Sequence, residues 1–582
     1  MVSQTAPRAR NQSLRHSLEF ILKPDIARAI FFSLFINILV LSPSWYMLEV
    51  YDRVVNSQNI RTLWMLTILV LFLYAILELL EWVRTAIFQK AGHLVDESLR
   101  DRIFANIFKA KLNQMPGGSN QPITDLKTIQ NAINSPALLA LIDAPFAIIA
   151  LIFLFSIHRD LGWFAIGGAL ILFAVAWVNE RFVHPPLAEA SQHAMGAQNY
   201  FNGAIRNVQV IKSMGMLSRI HSAWAKKYHQ FLKQQSVASD RAGANSAISK
   251  LTQTMQGSFI LGFACWLVIQ GEISGQGAEM IVASILGGRM LAPLVQLIAH
   301  WRVVVNARDS FARLDQFLSA FPSAQEKMRL PKPEGTLSVD GLVAAAPNSV
   351  TPIIRGISFN LSAGQSLAII GPSASGKTTL AKLLTGIWPA THGKVRLDGV
   401  DIYGWDKAEL GPHVGYLSQN AELFEGTLAE NIARFGPSDI TKLKEAVNMS
   451  GLDDFVAKLD RGLETELGEE GEFLSGGQRQ RVALARAIYG LPKFIVLDEP
   501  NASLDQAGDV ALSHAINLLK DKGATLIIIT HRQSLLDLMD EVMVLVDGQV
   551  KLHGPRDEVM DALKQQAKLP TSINTQHAGD KK

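Results

Sequence analysis

Apolar residues are unevenly spread along these 582 residues. Before residue 302 they gather into six blocks, near 27–49, 63–83, 136–157, 161–178, 253–269 and 278–299, each long enough or nearly so to cross a bilayer as a helix. The sixth is interrupted by Gly287, Gly288, Arg289 and Pro293. A buried helical bundle is the competing reading for the shorter blocks, but their alternation with charged loops favours membrane spans. Two of those loops keep apolar residues at helical spacing, over 94–112 and 204–231, and are expected to continue the second and fourth spans as helices. Past residue 337 the pattern changes. Short apolar runs at 366–370, 494–497 and 526–529 read as buried strands, and 377–387 returns to helical spacing. The expected fold class is therefore an α-helical six-span transmembrane domain followed by an α/β domain.

Composition agrees with a membrane half. Hydrophobic residues make up 48%, charged residues only 18%, and mean hydropathy is +0.17, too apolar for a purely soluble chain of this length. Orientation follows from the basic residues. The two long loops carry Arg84, Lys90, Arg100, Arg102, Lys109, Lys111 and Lys127, then Arg181, Arg206, Lys212, Arg219, Lys226, Lys227, Lys233, Arg241 and Lys250. The short loops at 158–160 and 271–277 carry almost none, so the positive-inside rule puts the long loops, both termini and the α/β half in the cytoplasm.

The expected division is 1–25 as a short cytoplasmic segment, 26–318 as the transmembrane domain, 319–337 as a linker with Pro322, Pro331 and Pro333, 338–566 as the α/β domain and 567–582 as a polar tail. Residues 1–25 are too few for a folded domain, and no apolar stretch with a cleavage site precedes the first span, so removal of a signal peptide is not expected. Cys265 is the only cysteine, which excludes an internal disulfide and a cysteine-based metal site. Histidines show no metal-ligand spacing. With a net charge of +3 and the cytoplasmic cations explained by topology, no nucleic-acid partner is expected.

The candidate chemistry lies in the α/β half. The run GPSASGKT at 371–378 joins a buried strand to a helix, which suits a phosphate cradle. Backbone N–H groups of such a loop converge on phosphate oxygens, the helix N-terminus adds partial positive charge, and Lys377 adds a full one. The Thr378 hydroxyl can reach Mg²⁺. A plain Gly-rich turn is the competing reading. Against it stands the strand 494–497, which ends in Asp498 and Glu499, where a buried strand places two acids only for a task. Asp498 is expected to hold Mg²⁺ and Glu499 to polarise the water that attacks a γ-phosphate.

Together with LSGGQ at 474–478, the cradle resembles the ATP-binding cassette (ABC) family. The resemblance extends to Gln419 in the position of the Q-loop, to Ser503, Leu504 and Asp505 in that of the D-loop, and to His531 as the switch histidine. It implies an exporter-type ABC fold with a P-loop ATPase domain, and ATP and Mg²⁺ as cofactors. Residues implied to bind nucleotide are Gly371, Pro372, Ser373, Ala374, Ser375, Gly376, Lys377, Thr378, Thr379, Ser475, Gly476, Gly477 and Gln478. Those implied to hold the metal are Thr378, Gln419 and Asp498, and those implied to be catalytic are Glu499, His531 and Gln419. In this family the LSGGQ loop faces the nucleotide held by the opposite subunit, which implies a second copy of the chain. Bends in the two long loops are implied to rest on the cassettes and to transmit their closure.

Further blocks are similar to the PrtD-like branch of type I secretion exporters: YDRVVNSQNIRTL at 51–63, DAPF at 143–146, SILGGRMLAPLVQLIAHW at 284–301, WDKAELGPHVGYLSQNAELFEGTLAENIARF at 405–435 and DEPNASLD at 498–505. This likeness covers about 24–557. It implies ATP-driven export of an unfolded protein with a C-terminal signal across the inner membrane, with a periplasmic membrane-fusion adaptor and an outer-membrane channel as partners. The alternative is an exporter of lipids or small amphiphilic molecules. An ATP-gated channel is disfavoured by intact Glu499 and His531. Three positions depart from the family: no adenine-stacking aromatic stands at 343–347, Glu470 replaces a usual Arg, and Ser418 replaces a frequent Pro. Ionisable residues at span depth, Glu78, Glu81, Asp143 and Arg289, leave two readings open. Either Arg289 and Asp143 line a polypeptide path, or they pair and lock the bundle.

Overall fold

The structure is a computed structural model that describes residues 14–115, 117–273, 278–321, 329–347, 349, 351–468 and 471–568. Glu470, part of the expected linker, the first thirteen residues and most of the polar tail lie outside the described residues. The chain divides into two compact units, one of residues 1–109 and 116–323, the other of 110–115 and 324–582.

The first unit is helical throughout: α1 (Leu14–Leu39), α2 (Ser42–Glu49), α3 (Ile60–Leu112), α4 (Gln121–Ile133), α5 (Pro136–Asp143), α6 (Ala147–Ile157), α7 (Arg159–Arg206), α8 (Val208–Ser213), α9 (Leu217–Ile269), α10 (Ala278–Ala299) and α11 (Trp301–Ala320). Six segments are long and apolar enough to cross a membrane. The third is bent by a 3₁₀ turn at Ala144–Phe146, where Pro145 cannot donate a helical hydrogen bond. Among the long loops, α3 continues its span without a break over 53 residues, as expected. The other expectation needs correction. Helical spacing over 204–231 does not mean one helix, because the chain reverses through Asn207 and Gly215, the latter at φ +64° where a side chain would be strained.

Helices α9 and α10 meet through small residues and polar cross-ties. Gln256 Nε2 donates to the Gly287 carbonyl at 3.2 Å, Gln253 Nε2 to that of Gly288 at 2.9 Å, and Ser284 Oγ to that of Gly257 at 2.7 Å. A methyl group added at Gly287 would stand 2.2 Å from the Ile260 side chain. The interruption read from the sequence is thus the place where two backbones approach closely, as is common between membrane helices. At one end of the bundle His158 caps α7, accepting from the Asp160 N–H at 3.3 Å, while its Nε2 lies 3.3 Å from Glu272. Three potential ligand atoms of His158, Asp160 and Glu272 lie within 4.8 Å of one another, a grouping that sequence spacing does not announce.

Asp143 has a different partner from the one expected. Its Oδ1 accepts from Arg84 Nη1 at 2.8 Å and from Asn37 Nδ2 at 3.1 Å, and Arg84 also donates to Ser33 Oγ at 2.9 Å. Arg84 is buried, whereas Arg289 is exposed and pairs with no described carboxylate. The locking ion pair therefore joins α1, α3 and α5, and Arg84 belongs to the bundle interior rather than to the loop charge.

The second unit holds two sheets. Strands β1 (Leu337–Ala345), β2 (Pro352–Leu361), β4 (His392–Leu397) and β5 (Val400–Asp401) form an antiparallel sheet in the order β2-β1-β4-β5. The larger sheet runs β10-β9-β3-β8-β7-β6, from β3 (Ser366–Ile370), β6 (Val414–Leu417), β7 (Phe494–Asp498), β8 (Thr525–Ile529), β9 (Glu541–Val546) and β10 (Gln549–Pro555). Neighbours from β9 to β6 are parallel, and β7 and β8 are buried along their whole length. That burial explains why they read as unbroken apolar runs.

Removing one member of the Arg84–Asp143 pair leaves a buried charge without its counterion. Asp143→Ala is expected to lower stability by about 3 kcal/mol, and the Arg84→Leu/Asp143→Leu double variant to recover most of it. Thermal unfolding in detergent checks this; equal losses in the single and double variants would overturn the pairing.

Candidate functional site

Register decides where the candidate residues meet. Ile369 of β3 is paired with Ile529 of β8, Asp498 of β7 with the same Ile529, and Leu417 of β6 with Leu497 of β7. Four adjacent parallel strands therefore end at one level, and the loops after them carry Lys377, Gln419, Asp498 with Glu499, and His531 to one edge of the sheet. Carboxyl ends of parallel strands are where α/β sheets bind ligands.

The loop after β3 bends around its own lysine. Lys377 is buried, and its Nζ donates to the carbonyls of Gly371 at 2.7 Å and Pro372 at 2.9 Å. Gly376, at φ +101°, opens the helix Lys377–Leu384, while Pro372, Ser373 and Ala374 are exposed. A methyl group at Gly371 would meet the Leu545 carbonyl at 2.0 Å, so the cradle leans directly on β9. Ala374 holds a left-handed backbone at φ +64°, a conformation that glycine adopts freely and alanine does not. Thr378 and Thr379 follow on the first helical turn, half-buried.

Asp498 is fully buried, and neither carboxylate oxygen has a hydrogen-bond partner among the described residues. Burial pushes its carboxyl above the ordinary range. The Thr378 hydroxyl opposes that shift, although it lies outside normal hydrogen-bond geometry, and neighbouring Glu499 adds to it. An orphaned buried carboxylate beside a threonine hydroxyl is the donor set a hard divalent cation takes. Glu499 itself sits at φ +51°, anchored by its N–H to the Ile529 carbonyl at 2.9 Å, and its Oε2 accepts from Gln419 Nε2 at 3.1 Å. The structure thus brings Gln419 onto Glu499. His531 is exposed, and Thr530 before it is buried and donates to Asn501 Oδ1 at 3.1 Å.

LSGGQ forms a helix start. Ser475 Oγ accepts from the Gln478 N–H at 3.2 Å, and Gln478 Oε1 accepts from the Ser475 N–H at 2.8 Å, a capping box that opens the helix Gly476–Ile488. The Ser-x-x-Gln spacing carried that signal in the sequence. Gln478 is therefore turned back onto its own helix, while Gly477 lies against Ser503, whose carbonyl a methyl group there would meet at 3.0 Å. Sequence reasoning missed Gln480. It is buried, and its Nε2 donates to the Pro500 carbonyl at 3.2 Å, fastening this helix to the segment after Glu499. Arg481 pairs with Asp505, and Arg532 with Asp509, closing the ring of loops. Over 343–347, Ala344 is buried in β1 opposite Ile354 and no aromatic stands there.

Two family profiles match the chain, one described as ABC transporter over residues 354–502 and one as ABC transporter transmembrane region over 26–287. The chain is 38% identical over 549 residues to the type I secretion system ATP-binding protein PrsD of Rhizobium meliloti (strain 1021), covering 94% of this chain and 93% of that one. It is 26% identical over 538 residues to the toxin RTX-I translocation ATP-binding protein of Actinobacillus pleuropneumoniae, covering 91% and 75%. Among solved structures, a bacterial Atm1-family ABC exporter with ATP bound superposes with a TM-score of 0.82 at 20% identity, over 95% of this chain and 99% of that one, a likeness of fold.

Two outcomes follow from the site geometry. Ala374→Gly is expected to raise stability by up to about 1 kcal/mol and Ala374→Val to lower it, because only glycine carries this backbone without strain. A lower unfolding temperature for the glycine variant would sink that account. Asp498 holds its proton to higher pH in the folded state than in the unfolded chain, so its ionisation costs stability that grows as pH rises above about 4. Asp498→Asn should therefore raise the unfolding temperature of metal-free protein at pH 8 and leave it nearly unchanged at pH 4.

Proposed function

This chain belongs to the ABC transporter family, within it to the type I secretion ATP-binding proteins, and we propose that it exports an unfolded protein across the bacterial inner membrane as a homodimer driven by ATP. It is a transport ATPase with a multi-span membrane domain. The observation that carries the ATP-driven reading is the shared edge of β3, β8, β7 and β6, where Asp498 is buried without a hydrogen-bond partner among the described residues and Gln419 donates to Glu499.

In this reading the cradle of Gly371, Pro372, Ser373, Ala374, Ser375 and Gly376 turns its N–H groups toward the phosphates. Lys377 leaves its own carbonyls to neutralise them, and Thr379 steadies the first helical turn. Thr378, Asp498 and Gln419 would hold Mg²⁺, which would supply charge neutralisation on the phosphate oxygens. Glu499 orients and deprotonates the attacking water, with His531 beside the departing phosphate and Gln419 keeping the carboxylate in place. Ser475, Gly476, Gly477 and Gln478 present a helix N-terminus, whose positive end suits the γ-phosphate held by the second copy of the chain. Two cassettes thereby enclose two nucleotides.

Cargo and partners rest on the relatives. A 38% identical protein is named for type I secretion, and another relative for toxin translocation, which supports a polypeptide load; the C-terminal signal on that load comes from the resemblance of the sequence blocks. The same kinship supports a periplasmic membrane-fusion adaptor and an outer-membrane channel as partners, with the ATPase domain on the cytoplasmic side. A second reading, export of lipids or small amphiphiles, draws on an apolar cavity of about 610 Å³ in the first unit, lined by Ile38, Trp45, Leu48, Phe153, Val282 and Leu286 among others.

Glu499→Gln is expected to keep nucleotide binding while lowering phosphate release by about a hundredfold or more, the usual loss with a general base. Undiminished release would refute the role given to Glu499. The load is decided by the same assay on the unsubstituted protein. Stimulation by a C-terminal cargo peptide is expected, and stimulation by small amphiphiles alone would favour the second reading.

A further inference from the structure

The expectation that topology explains every cytoplasmic cation needs correction for one stretch between the fourth and fifth spans, which lies too far from either span to be counted. From Glu189 to Asp240 the chain contains no other Asp or Glu, while Arg206, Lys212, Arg219, Lys226, Lys227 and Lys233 are all exposed. Acidic residues contribute little to topological bias, so the positive-inside rule gives no reason for their exclusion. The six cations also stand about 20 residues or more from the nearer span end, outside the window in which that rule counts charges. At 1.5 Å per residue the nearest is about 30 Å along the helix from the span, several Debye lengths from a lipid surface. The loop between the second and third spans behaves differently. It mixes Asp96, Glu97 and Asp101 among its cations, and Asp96 pairs with Arg100.

Arg219, Lys226 and Lys233 recur at every seventh position of α9, so they form one stripe with steps of about 10 Å. Aromatic residues hold the other side of the helix. Trp224 stacks on Tyr228 at 4.8 Å, with 17° between the rings, and lies 6.1 Å from Phe201 of α7, while Lys227 sits 6.0 Å over Tyr200. The aromatic side faces α7 and leaves the cationic stripe outward. Among the described residues none of the three stripe cations forms an ion pair.

We propose that the stripe of Arg219, Lys226 and Lys233 is a docking surface for an acidic, extended segment of the cargo polypeptide. The proposal deepens the export reading and rests on it. An extended chain advances about 3.4 Å per residue, so a carboxylate at every third position meets successive cations. Exposed ion pairs are individually weak, which lets a segment be held by several contacts and still pass on.

The test uses the full-length protein in discs of zwitterionic lipid and a labelled peptide of about 18 residues with Asp at every third position. Arg219→Gln/Lys226→Gln/Lys233→Gln should weaken binding about tenfold with an unchanged unfolding temperature. The charge-retaining Arg219→Lys/Lys226→Arg/Lys233→Arg variant should bind as the unsubstituted protein does, and added salt should weaken binding to both. Unchanged affinity in the glutamine variant, or equal binding of the same peptide with Asn for Asp, overturns the proposal. So does preferential binding of single-stranded oligonucleotide or anionic vesicles at the stripe, or a loss of dimer mass in the glutamine variant, which would make the stripe an interface between copies. Failure of the export reading shows separately, as reconstituted protein that binds the peptide yet moves no cargo polypeptide across the membrane.

Discussion

A carboxylate kept out of water with nothing to bond is the constraint around which the second unit is built. Asp498 ends a strand buried along its whole length, and burial raises the cost of its charge. That arrangement persists only because the surrounding sheet over-determines it. The parallel register of β7 with β8 and of β8 with β3 fixes the height of Asp498, of the cradle and of Thr530 together. Buttressing from outside the sheet does the rest: Gln480 grips the carbonyl after Glu499, and the turn that joins β9 to β10 supports the cradle, with the Gly548 N–H donating to the Ser375 carbonyl at 3.1 Å. Two residues of this edge, Ala374 and Glu499, adopt left-handed backbone. Such strain is tolerated where geometry matters more than local comfort.

The first unit treats buried charge in the opposite way. Arg84 Nη1 donates to both Asp143 and Ser33, and Asn37 adds a second donor to Asp143, so the charges that join α1, α3 and α5 neutralise one another within the protein, although Arg84 Nε has no hydrogen-bond partner among the described residues. Elsewhere in that unit, backbone carbonyls exposed by glycine are taken up by Gln253, Gln256 and Ser284. These are the economies of a medium without water, in which polar groups must find partners within the protein.

How much of this was legible in the sequence differs with the range of the interaction. The spans, the strands and the cradle follow from local period and from motifs whose residues are contiguous, and the structure places them where the pattern does. Whatever depends on which helix lies beside which was not legible. Arg84 sits just past an apolar run and reads as loop charge, yet α3 continues unbroken through it and its side chain meets Asp143, 59 positions away. Helical spacing across 204–231 was genuine but concealed the reversal at Asn207 and Gly215, because an amphipathic pattern is unchanged when the chain turns back on a like partner. The grouping of His158, Asp160 and Glu272 was hidden for the same reason: its members come from two loops more than a hundred residues apart. At the candidate site the motif residues were visible one by one, whereas the bond from Gln419 to Glu499 and the hold of Gln480 required strand order. The capping box within LSGGQ, by contrast, was readable from Ser475 and Gln478 alone.

The contrast between the units bears on what each can do. A pair such as Arg84–Asp143 has its partner at all times, so its free energy does not depend on any ligand and it favours one arrangement of its helices. Asp498 has no hydrogen-bond partner among the described residues, so in the proposed reading the free energy of its surroundings changes when a cation and a phosphate arrive, and Lys377 exchanges its own loop carbonyls for the newcomer. Binding energy released at such a place goes partly into ordering the loops that share it, because Gln419, Glu499 and the segment bonded by Gln480 cannot move independently. A ligand can shift a structure only as far as it binds one state better than another. An edge whose central charge is unsatisfied without ligand has that difference built in, and a buried pair such as Arg84–Asp143 does not.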